Sequence, residues 1–306
     1  MNPKKLTIIF ICYNCGEDIA KNIIDVNNMA LENYAIDFIV FDNASADNSL
    51  KAIEKVNIPN LKIIANPSNL GFGKACNAGL KNANGDYYLL LNPDIELSQN
   101  SISNLLEFAQ EHANAGIWGG VTLTEQGEAD GKNAWREASL WGFFCWAIFL
   151  TRLFPKVKLF SPDDYNGITW EKVTPVDAIT GCFFLIDATL WKKLDGFDER
   201  FFMYSEEIDL CRRARQIGFQ PTITNQATIV HYGGGTTTSE NKINLMYKSK
   251  LMYFKKHWSY NKYCLARVIF ITAVFLRAIL FIPKVKKNQH NIWFKLLTNQ
   301  FHWNID

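Results

Sequence analysis

Two carboxylates and a histidine stand at positions where a folded chain could use them. Asp94 closes the run "LLLNPD", a carboxylate just past the end of an apolar strand-like segment. Burying such a charge is costly unless a cation meets it. A divalent ion is the natural partner, because Asp oxygen and His nitrogen suit Mg2+ or Mn2+, and His231, closing "ATIVH", offers a further ligand. One carboxylate and one imidazole make a sparse shell, which points to the phosphates of a nucleoside diphosphate as the remaining ligands. The competing reading makes Asp94 the cap of a helix beginning near Ser98 and His231 an ordinary strand-end side chain.

The second carboxylate lies in "FFMYSEEIDLCRRAR". Leu210, Cys211, Ala214 and Ile217 fall on one helical stripe, Asp209 and Arg213 form an i,i+4 pair on the polar side, and Glu206 and Glu207 occupy the first turn. The helix dipole favours ionised acids there, and an ionised carboxylate beside a cleft acts as a general base toward a hydroxyl. Acids in a first turn are also commonplace for purely structural reasons.

Two further stretches invite chemistry and mostly decline it. "NPSNLGFGKACNAG" (66–79) fits neither G-x-x-x-x-G-K-[ST] nor G-x-G-x-x-G, so it is no Walker or dinucleotide loop, although it suits a close backbone approach to a nucleotide. "CYNC" (12–15) has the spacing of a redox pair or of half a zinc site. No second C-x-x-C completes a zinc site, and no helix N-terminus is expected directly after Cys12, so both cysteines read as incidental. Its middle residues, Tyr13 and Asn14, carry the interest.

Those groups need elements to position them. Four β-branched or aromatic-rich runs, at 6–13, 35–43, 61–66 and 86–92, alternate with helix-compatible spans near 18–30, 47–55 and 73–83. The spacing predicts βαβ crossovers around a buried parallel sheet, an α/β fold. Ligands of such sheets bind beyond the carboxyl ends of the strands. Here those ends are Tyr13-Asn14, Asp42-Asn43, 66–69 and Asn92–Asp94, all rich in Asn and Asp, which also favour turns. Beyond residue 100 a helix near 101–113, a Trp- and Phe-laden segment at 135–154, a strand at 181–186, a helix at 205–218 and a strand at 221–232 follow.

The 306 residues, 48% hydrophobic, can bury a sizeable core, and seven cysteines without a secretory pattern fit reduced thiols in the cytoplasm. The net charge of +2 conceals an asymmetry. Residues 242–306 carry 12 Lys or Arg against the single acid Asp306, while the rest of the chain is net −9. Together with the apolar run 263–283, this fits an anionic membrane surface better than nucleic acid. Arg267 and Arg277 leave only nine uninterrupted residues between them, so an interfacial helix whose arginines snorkel is expected rather than a span.

In order, "IIFICYN", "VFDNASADNS", "NPSNLGFGKACNAG", "LLLNPDIEL", "GCFFLI", "LDGFDERFFMYSEEIDLCRRA" and "VHYGGGTT" resemble the family 2 glycosyltransferases of GT-A fold, in the rhamnosyltransferase-like branch, over residues 6–240. The resemblance implies a catalytic domain over 1–240, with a nucleotide-binding half at about 1–97 and an acceptor half at 98–240, followed by a basic helical extension at 241–306. It implies inverting transfer from a nucleotide-diphosphate sugar, dTDP-rhamnose first and a UDP-sugar next. The acceptor would be a polyprenyl-diphosphate-linked glycan at the cytoplasmic face of the membrane, in bacterial surface polysaccharide synthesis. By similarity Asp42 reads the pyrimidine, Tyr13 and Asn14 line its pocket, and Asn69, Gly71, Asn77 and Asn92 border the sugar and diphosphate. Gly181 lets the sugar approach, Asp94 and His231 hold Mg2+ or Mn2+, and Glu207 is the base. Two departures stand out. The first acid of the D-x-D-like motif is Asn92, and the usual Glu-Asp pair is Glu206-Glu207. Other classes compatible with the sequence are a sugar-nucleotide-binding scaffold without transfer and a nucleotidyltransferase.

Overall fold

A computed structural model describes residues 3–29, 31, 33–165, 168–233, 239–280 and 292–299. Gly234 and Gly235 of the glycine cluster and the basic stretch 284–287 lie outside the described residues. The chain divides into two compact units: unit 1 comprises 1–135, 168–202 and 206–236, and unit 2 comprises 136–167, 203–205 and 237–306. Unit 2 therefore takes in the aromatic segment at 136–154 as well as the C-terminal extension.

Unit 1 holds β1 (Lys4–Cys12), β2 (Tyr34–Asn43), β3 (Leu61–Asn66), β4 (Tyr87–Leu91), β5 (Ile95–Leu97), β6 (Ile117–Leu123), β7 (Ala134–Trp135), β8 (Thr174–Pro175), β9 (Ala178–Ile179), β10 (Phe183–Asp187) and β11 (Thr222–His231). The main sheet runs β3-β2-β1-β4-β10-β6-β11-β5, with β8 beside β11. Its first four strands are parallel, as the βαβ spacing requires. β10 then runs antiparallel between β4 and β6, so the sheet as a whole is mixed. β1 and β4 are continuous apolar runs because both faces of the sheet are covered, and Leu6, Ile8, Phe10, Tyr88 and Leu89 are fully buried.

The covering helices of unit 1 are α1 (Gly16–Asn27), α2 (Ser49–Glu54), α3 (Phe72–Leu80) and α4 (Ser101–Glu111). α1 buries Ile19, Ile23 and Val26, one stripe at helical spacing, against Leu6, Ile8 and Phe10. Truncating Ile23 to Ala would cost about 2–5 kcal/mol, the usual range for a core deletion.

Unit 2 begins with α5 (Leu140–Ala147) and α6 (Leu150–Leu153); after them unit 1 resumes with α7 (Ala188–Lys193) and α8 (Glu206–Gln216), and unit 2 closes with α9 (Ser239–His257), α10 (Tyr260–Leu280) and α11 (Ile292–Asn299). Its centre is aromatic: Phe143 stacks on Trp146 at 5.1 Å and meets Phe254 edge-on at 5.1 Å, and Phe254 stacks on Trp258 at 3.8 Å. Here the expectation of snorkelling arginines fails for Arg277. Its side chain is buried between the Trp146 and Phe149 rings, 4.2 Å from each, and donates to the carbonyls of Trp146 (2.6 Å) and Ala147 (2.9 Å). The carbonyl end of α5 and two π faces replace a carboxylate partner, so this cation belongs to the core. Arg267 is half-buried and donates to the Tyr263 hydroxyl. The outward face of α10 is instead apolar, with Leu265, Val268, Phe275, Leu276, Ile279 and Leu280 exposed. Among the described residues α10 is the one helix long and apolar enough to cross a membrane, by length and composition.

Candidate active site

The carboxyl end of the parallel strands is organised by Ser45. Asn14, in the left-handed region at φ 57°, donates its N–H to Ser45 Oγ (2.9 Å) and accepts the Ala46 N–H on Oδ1 (2.8 Å). Ser45 in turn donates its N–H to Asp42 Oδ2 at 3.2 Å. The β1 and β2 ends are thus locked together around a carboxylate that is 2% exposed. Asp42 Oδ1 is buried and lacks a hydrogen-bond partner among the described residues. Leaving such an atom unmet costs about 1–3 kcal/mol, so it fits a ligand N–H. Tyr13, exposed one residue past the end of β1, where Cys12 pairs with Asp42, has the ring to cover a base.

The glycine-rich stretch after β3 proves to be a positioning device. Asn43, buried at the end of β2, donates to Asn69 Oδ1 (3.0 Å) and accepts the Leu70 N–H (2.8 Å), while Asn69 Oδ1 also takes the Gly71 N–H (2.9 Å). Gly71, at φ 80°, lies so close to the Phe202 carbonyl that a Cβ would sit 1.9 Å from its oxygen, and Phe72 donates its N–H to that same carbonyl. Both ends of the Asn77 amide are committed to Phe197: Oδ1 accepts its N–H (2.9 Å) and Nδ2 donates to its carbonyl (2.8 Å). Gly71 and Asn77 therefore hold the 196–202 segment that leads into α8, and Asn69 holds the turn before Gly71.

Asp94 and His231 come together. Asn22 of α1 donates to the Pro93 carbonyl (2.8 Å), Asn92 donates its N–H to the Cys182 carbonyl (3.1 Å), and Tyr232 donates its N–H to the Asp94 carbonyl (3.1 Å). The loop is fixed at three points. His231 Nε2 then lies 3.4 Å from Asp94 Oδ1. That separation exceeds an ordinary N–H···O hydrogen bond and suits two donors sharing one cation, so the pair fits a divalent ion. Among the described residues no group of three or more His, Cys, Asp or Glu side chains offers a self-sufficient metal cage. Glu96 is engaged elsewhere, accepting from the Tyr232 hydroxyl.

Glu207 occupies the first turn of α8, as its sequence position predicts, but its environment differs from the expectation. It is half-buried, its Oε2 is sealed from solvent without a partner among the described residues, and burial pushes its carboxyl up to about 7. Desolvation outweighs the helix dipole here. The polar-side placement of the Asp209–Arg213 pair is also overturned. Asp209 is fully buried, and Arg213 reaches from it (2.7 Å) to the Leu194 and Gly196 carbonyls (2.6 and 2.8 Å), clamping α8 to the turn after α7. Ile217 lies beyond α8 and is exposed.

Residues 179–182 link α8, which bears Glu207, to the loop that bears Asp94. Cys211, one turn beyond Glu207, is in hydrogen-bond contact with the Ile179 backbone, and its thiol is pushed up to about 12 chiefly by burial. Three residues on, Cys182 carries the carbonyl that holds Asn92, and the Asp94 charge helps raise its thiol. Gly181 lies between them. A Cβ there would meet only the Phe72 ring, at 3.4 Å, so the fold itself leaves room for a side chain.

A parallel nucleotide-side sheet, an antiparallel β10 beside β4 and an acid loop at the β4 end define the GT-A class of nucleotide-diphospho-sugar transferases. The chain belongs to glycosyl transferase family 2, whose family model matches residues 7–175. It is 24% identical over 259 residues to the N-acetylglucosaminyl-diphospho-decaprenol L-rhamnosyltransferase of Mycobacterium tuberculosis, covering 81% of this chain and 82% of that one. It is 26% identical over 158 residues to the rhamnosyltransferase WbbL of Escherichia coli, covering 49% and 53%. Among solved structures, a mannosyltransferase of Pyrobaculum calidifontis in complex with GDP-Man and Mn2+ aligns with a TM-score of 0.58 at 12% identity, over 98% of this chain and 80% of that one. GalNAc-T7 with UDP, GalNAc and Mn2+ aligns at 0.57 and 14% identity, over 83% of this chain and about half, 51%, of the other. At those identities the solved structures establish the fold.

The sequence missed Ser45, Asn43 as a loop organiser, and Asn22. Their signal was present in the Asn- and Ser-rich strand ends, but nothing in the spacing said which side chains would tie one loop to the next.

Proposed function

We propose that the protein is an inverting, metal-dependent transferase that moves a sugar from a pyrimidine nucleotide diphosphate to a hydroxyl of a lipid-linked glycan. dTDP-rhamnose is the favoured donor and a UDP-sugar the next. The observation that carries this reading is the convergence of Asp94 and His231 at 3.4 Å, joined through 179–182 to the helix that bears Glu207.

Asp42 Oδ1 would accept the imide N–H of the pyrimidine, with Tyr13 over the ring and Asn14 holding the loop. Asp94 and His231 would hold Mg2+ or Mn2+, which when bound neutralises charge on the departing diphosphate. Glu207 takes the proton from the acceptor hydroxyl, whose oxygen attacks the anomeric carbon on the face opposite the diphosphate. That carbon–oxygen bond to phosphate then breaks, and the configuration inverts. A carboxyl pushed up to about 7 is well matched to this task near neutral pH. The room at Gly181 supports approach of the sugar to the backbone there.

The acceptor side rests on unit 2. Its outward apolar face on α10, the exposed Leu153, Phe154 and Leu159, and the excess of Lys and Arg in 242–306 support docking on an anionic bilayer carrying a polyprenyl-diphosphate acceptor, with the enzyme on the cytoplasmic face. The relative from Mycobacterium tuberculosis is named for an acceptor of that chemical type.

The test is a thermal-shift screen of nucleotide sugars with Mg2+ or Mn2+, followed by transfer to a polyprenyl-diphosphate N-acetylglucosamine. Stabilisation by a pyrimidine nucleotide sugar and metal-dependent product of inverted configuration are expected. Binding without turnover under any donor and metal would favour a sugar-nucleotide-binding scaffold.

A further inference from the structure

The chain reaches the helix of the proposed base by an unusual route. Glu207 lies in the first turn of α8, which starts at Glu206. The three residues before that helix, Met203–Ser205, belong to unit 2, although Phe202 and Glu206 on either side belong to unit 1. Tyr204 and Ser205 both stand in the left-handed region, at φ 69° and 70°. Neither is glycine, asparagine or aspartate, so no preference of the side chain explains the pair. A backbone of this kind persists only where its surroundings over-determine it, and it concentrates at functional sites.

The surroundings are two successive carbonyls, each fastened from a different element. The Phe202 carbonyl accepts the Phe72 N–H at 2.9 Å, at the start of α3, where Gly71 leaves no room for a Cβ. The Met203 carbonyl accepts the hydroxyl of Ser249, in α9, at 2.6 Å. A helical serine ordinarily turns its hydroxyl back to the carbonyl four residues earlier or out to water. Ser249 is instead 4% exposed and donates to a carbonyl 46 positions away. One turn on, the buried Tyr253 donates its hydroxyl to Glu137 Oε1 at 2.6 Å, which fixes the register of α9 within unit 2. The later turns of α8 are held separately, by Arg213 on the Leu194 and Gly196 carbonyls. Helix ends fray, so the aim of a first-turn side chain depends on the residues that lead into it.

We propose that Ser249 is a positioning residue for transfer: by holding the Met203 carbonyl, its hydroxyl keeps Tyr204 and Ser205 left-handed and so sets the place of Glu207. It acts through the backbone of 203–205 and not on substrate. The effect on transfer rests on Glu207 as the base; the hold on 203–205 does not.

The experiment compares the full chain with Ser249→Ala, Ser249→Thr, Glu207→Gln and the double variant Ser249→Ala with Glu207→Gln. Single-turnover transfer from dTDP-rhamnose to polyprenyl-diphosphate N-acetylglucosamine is measured in Mn2+, and donor affinity and hydrogen exchange over 203–209 are followed on the same samples. Alanine favours a helix, so α9 stays formed. Ser249→Ala should raise exchange over 203–209, keep donor affinity and lower transfer about tenfold or more, within the roughly 10²-fold that a misplacement of about 1 Å can cost. Ser249→Thr, which retains the hydroxyl, should transfer like the parent. In the Glu207→Gln background the alanine should have no further effect beyond about twofold, because a base already removed cannot be misplaced. A merely structural role predicts the same loss in both backgrounds, and that result overturns the proposal. So does unchanged exchange over 203–209 in Ser249→Ala, or an equal loss in Ser249→Thr. If Glu207→Gln is inactive while Ser249→Ala transfers like the parent, only the role of Ser249 falls. If Glu207→Gln itself transfers like the parent, the reading of Glu207 as the base fails, and the part of Ser249 in transfer fails with it.

Discussion

Unit 1 and unit 2 spend their polar and apolar side chains in opposite ways. Unit 1 buries its aliphatic residues in a sheet and gathers polar ones at the strand ends and in the first turn of α8, where Asp42 and Glu207 respectively keep a sealed carboxylate oxygen without a partner among the described residues. Unit 2 buries a guanidinium in an aromatic box and leaves Leu265, Phe275, Leu276 and Ile279 facing out. Each arrangement carries a stability cost of its own kind, orphaned polar atoms in one case and exposed apolar area in the other. Under the proposed function, the contrast separates a unit suited to a polar ligand from a unit suited to an apolar surface.

The comparison should break first, and most severely, at Glu207, the base of the proposed mechanism. Glu207→Gln should lower transfer about 10²–10⁴-fold, the usual contribution of a general base. Donor affinity should hold, and melting at pH 8 should match or exceed that of the parent, because a buried ionised group is removed. Asp42→Ala should come next, weakening UDP or dTDP binding by about 10- to 100-fold, equivalent to about 1–3 kcal/mol, while pelleting with liposomes is unaffected. A loss of liposome binding in that variant would show that the two units do not divide the work.

The pH dependence sharpens the same point. Glu207 sits at about 7 in the folded protein against an ordinary 4.5, so folding stability from this group is full below 4.5 and declines as pH rises through 7. Activity follows the opposite direction, because the base works only when ionised. The rate should climb about tenfold per unit below pH 7 and level above it. A flat profile from pH 5 to 8 would remove Glu207 from the role. Smallest is the expected effect of Leu276→Glu with Ile279→Glu on the outward face of α10: several-fold weaker pelleting with anionic liposomes and unchanged nucleotide affinity.

The legibility of the sequence divides along the same line. In unit 1 the period-2 and continuous apolar runs located β1 to β4 to within a few residues, because a buried parallel sheet constrains every position. The ends of β2 and β4 singled out Asp42 and Asp94 as candidates for the same reason, and the end of β11 singled out His231. What the sequence could not show was burial of polar groups by distant elements. Asp209 reads as half of a surface ion pair, yet it is buried because Arg213 is needed at the Leu194 and Gly196 carbonyls. Asn77 reads as a ligand contact, yet its amide is taken up by Phe197, 120 positions away. In unit 2 Arg277 reads as a snorkelling charge for want of any sign that α5 would present its carbonyl end and two aromatic rings to it.

The most direct test of the account is transfer by Glu207→Gln measured beside the parent, in single turnover, with donor binding followed on the same samples in Mn2+. The account predicts donor affinity within about threefold of the parent and transfer reduced by about 10²-fold or more, in line with loss of a general base. Transfer retained within about threefold, with donor bound equally, would contradict it.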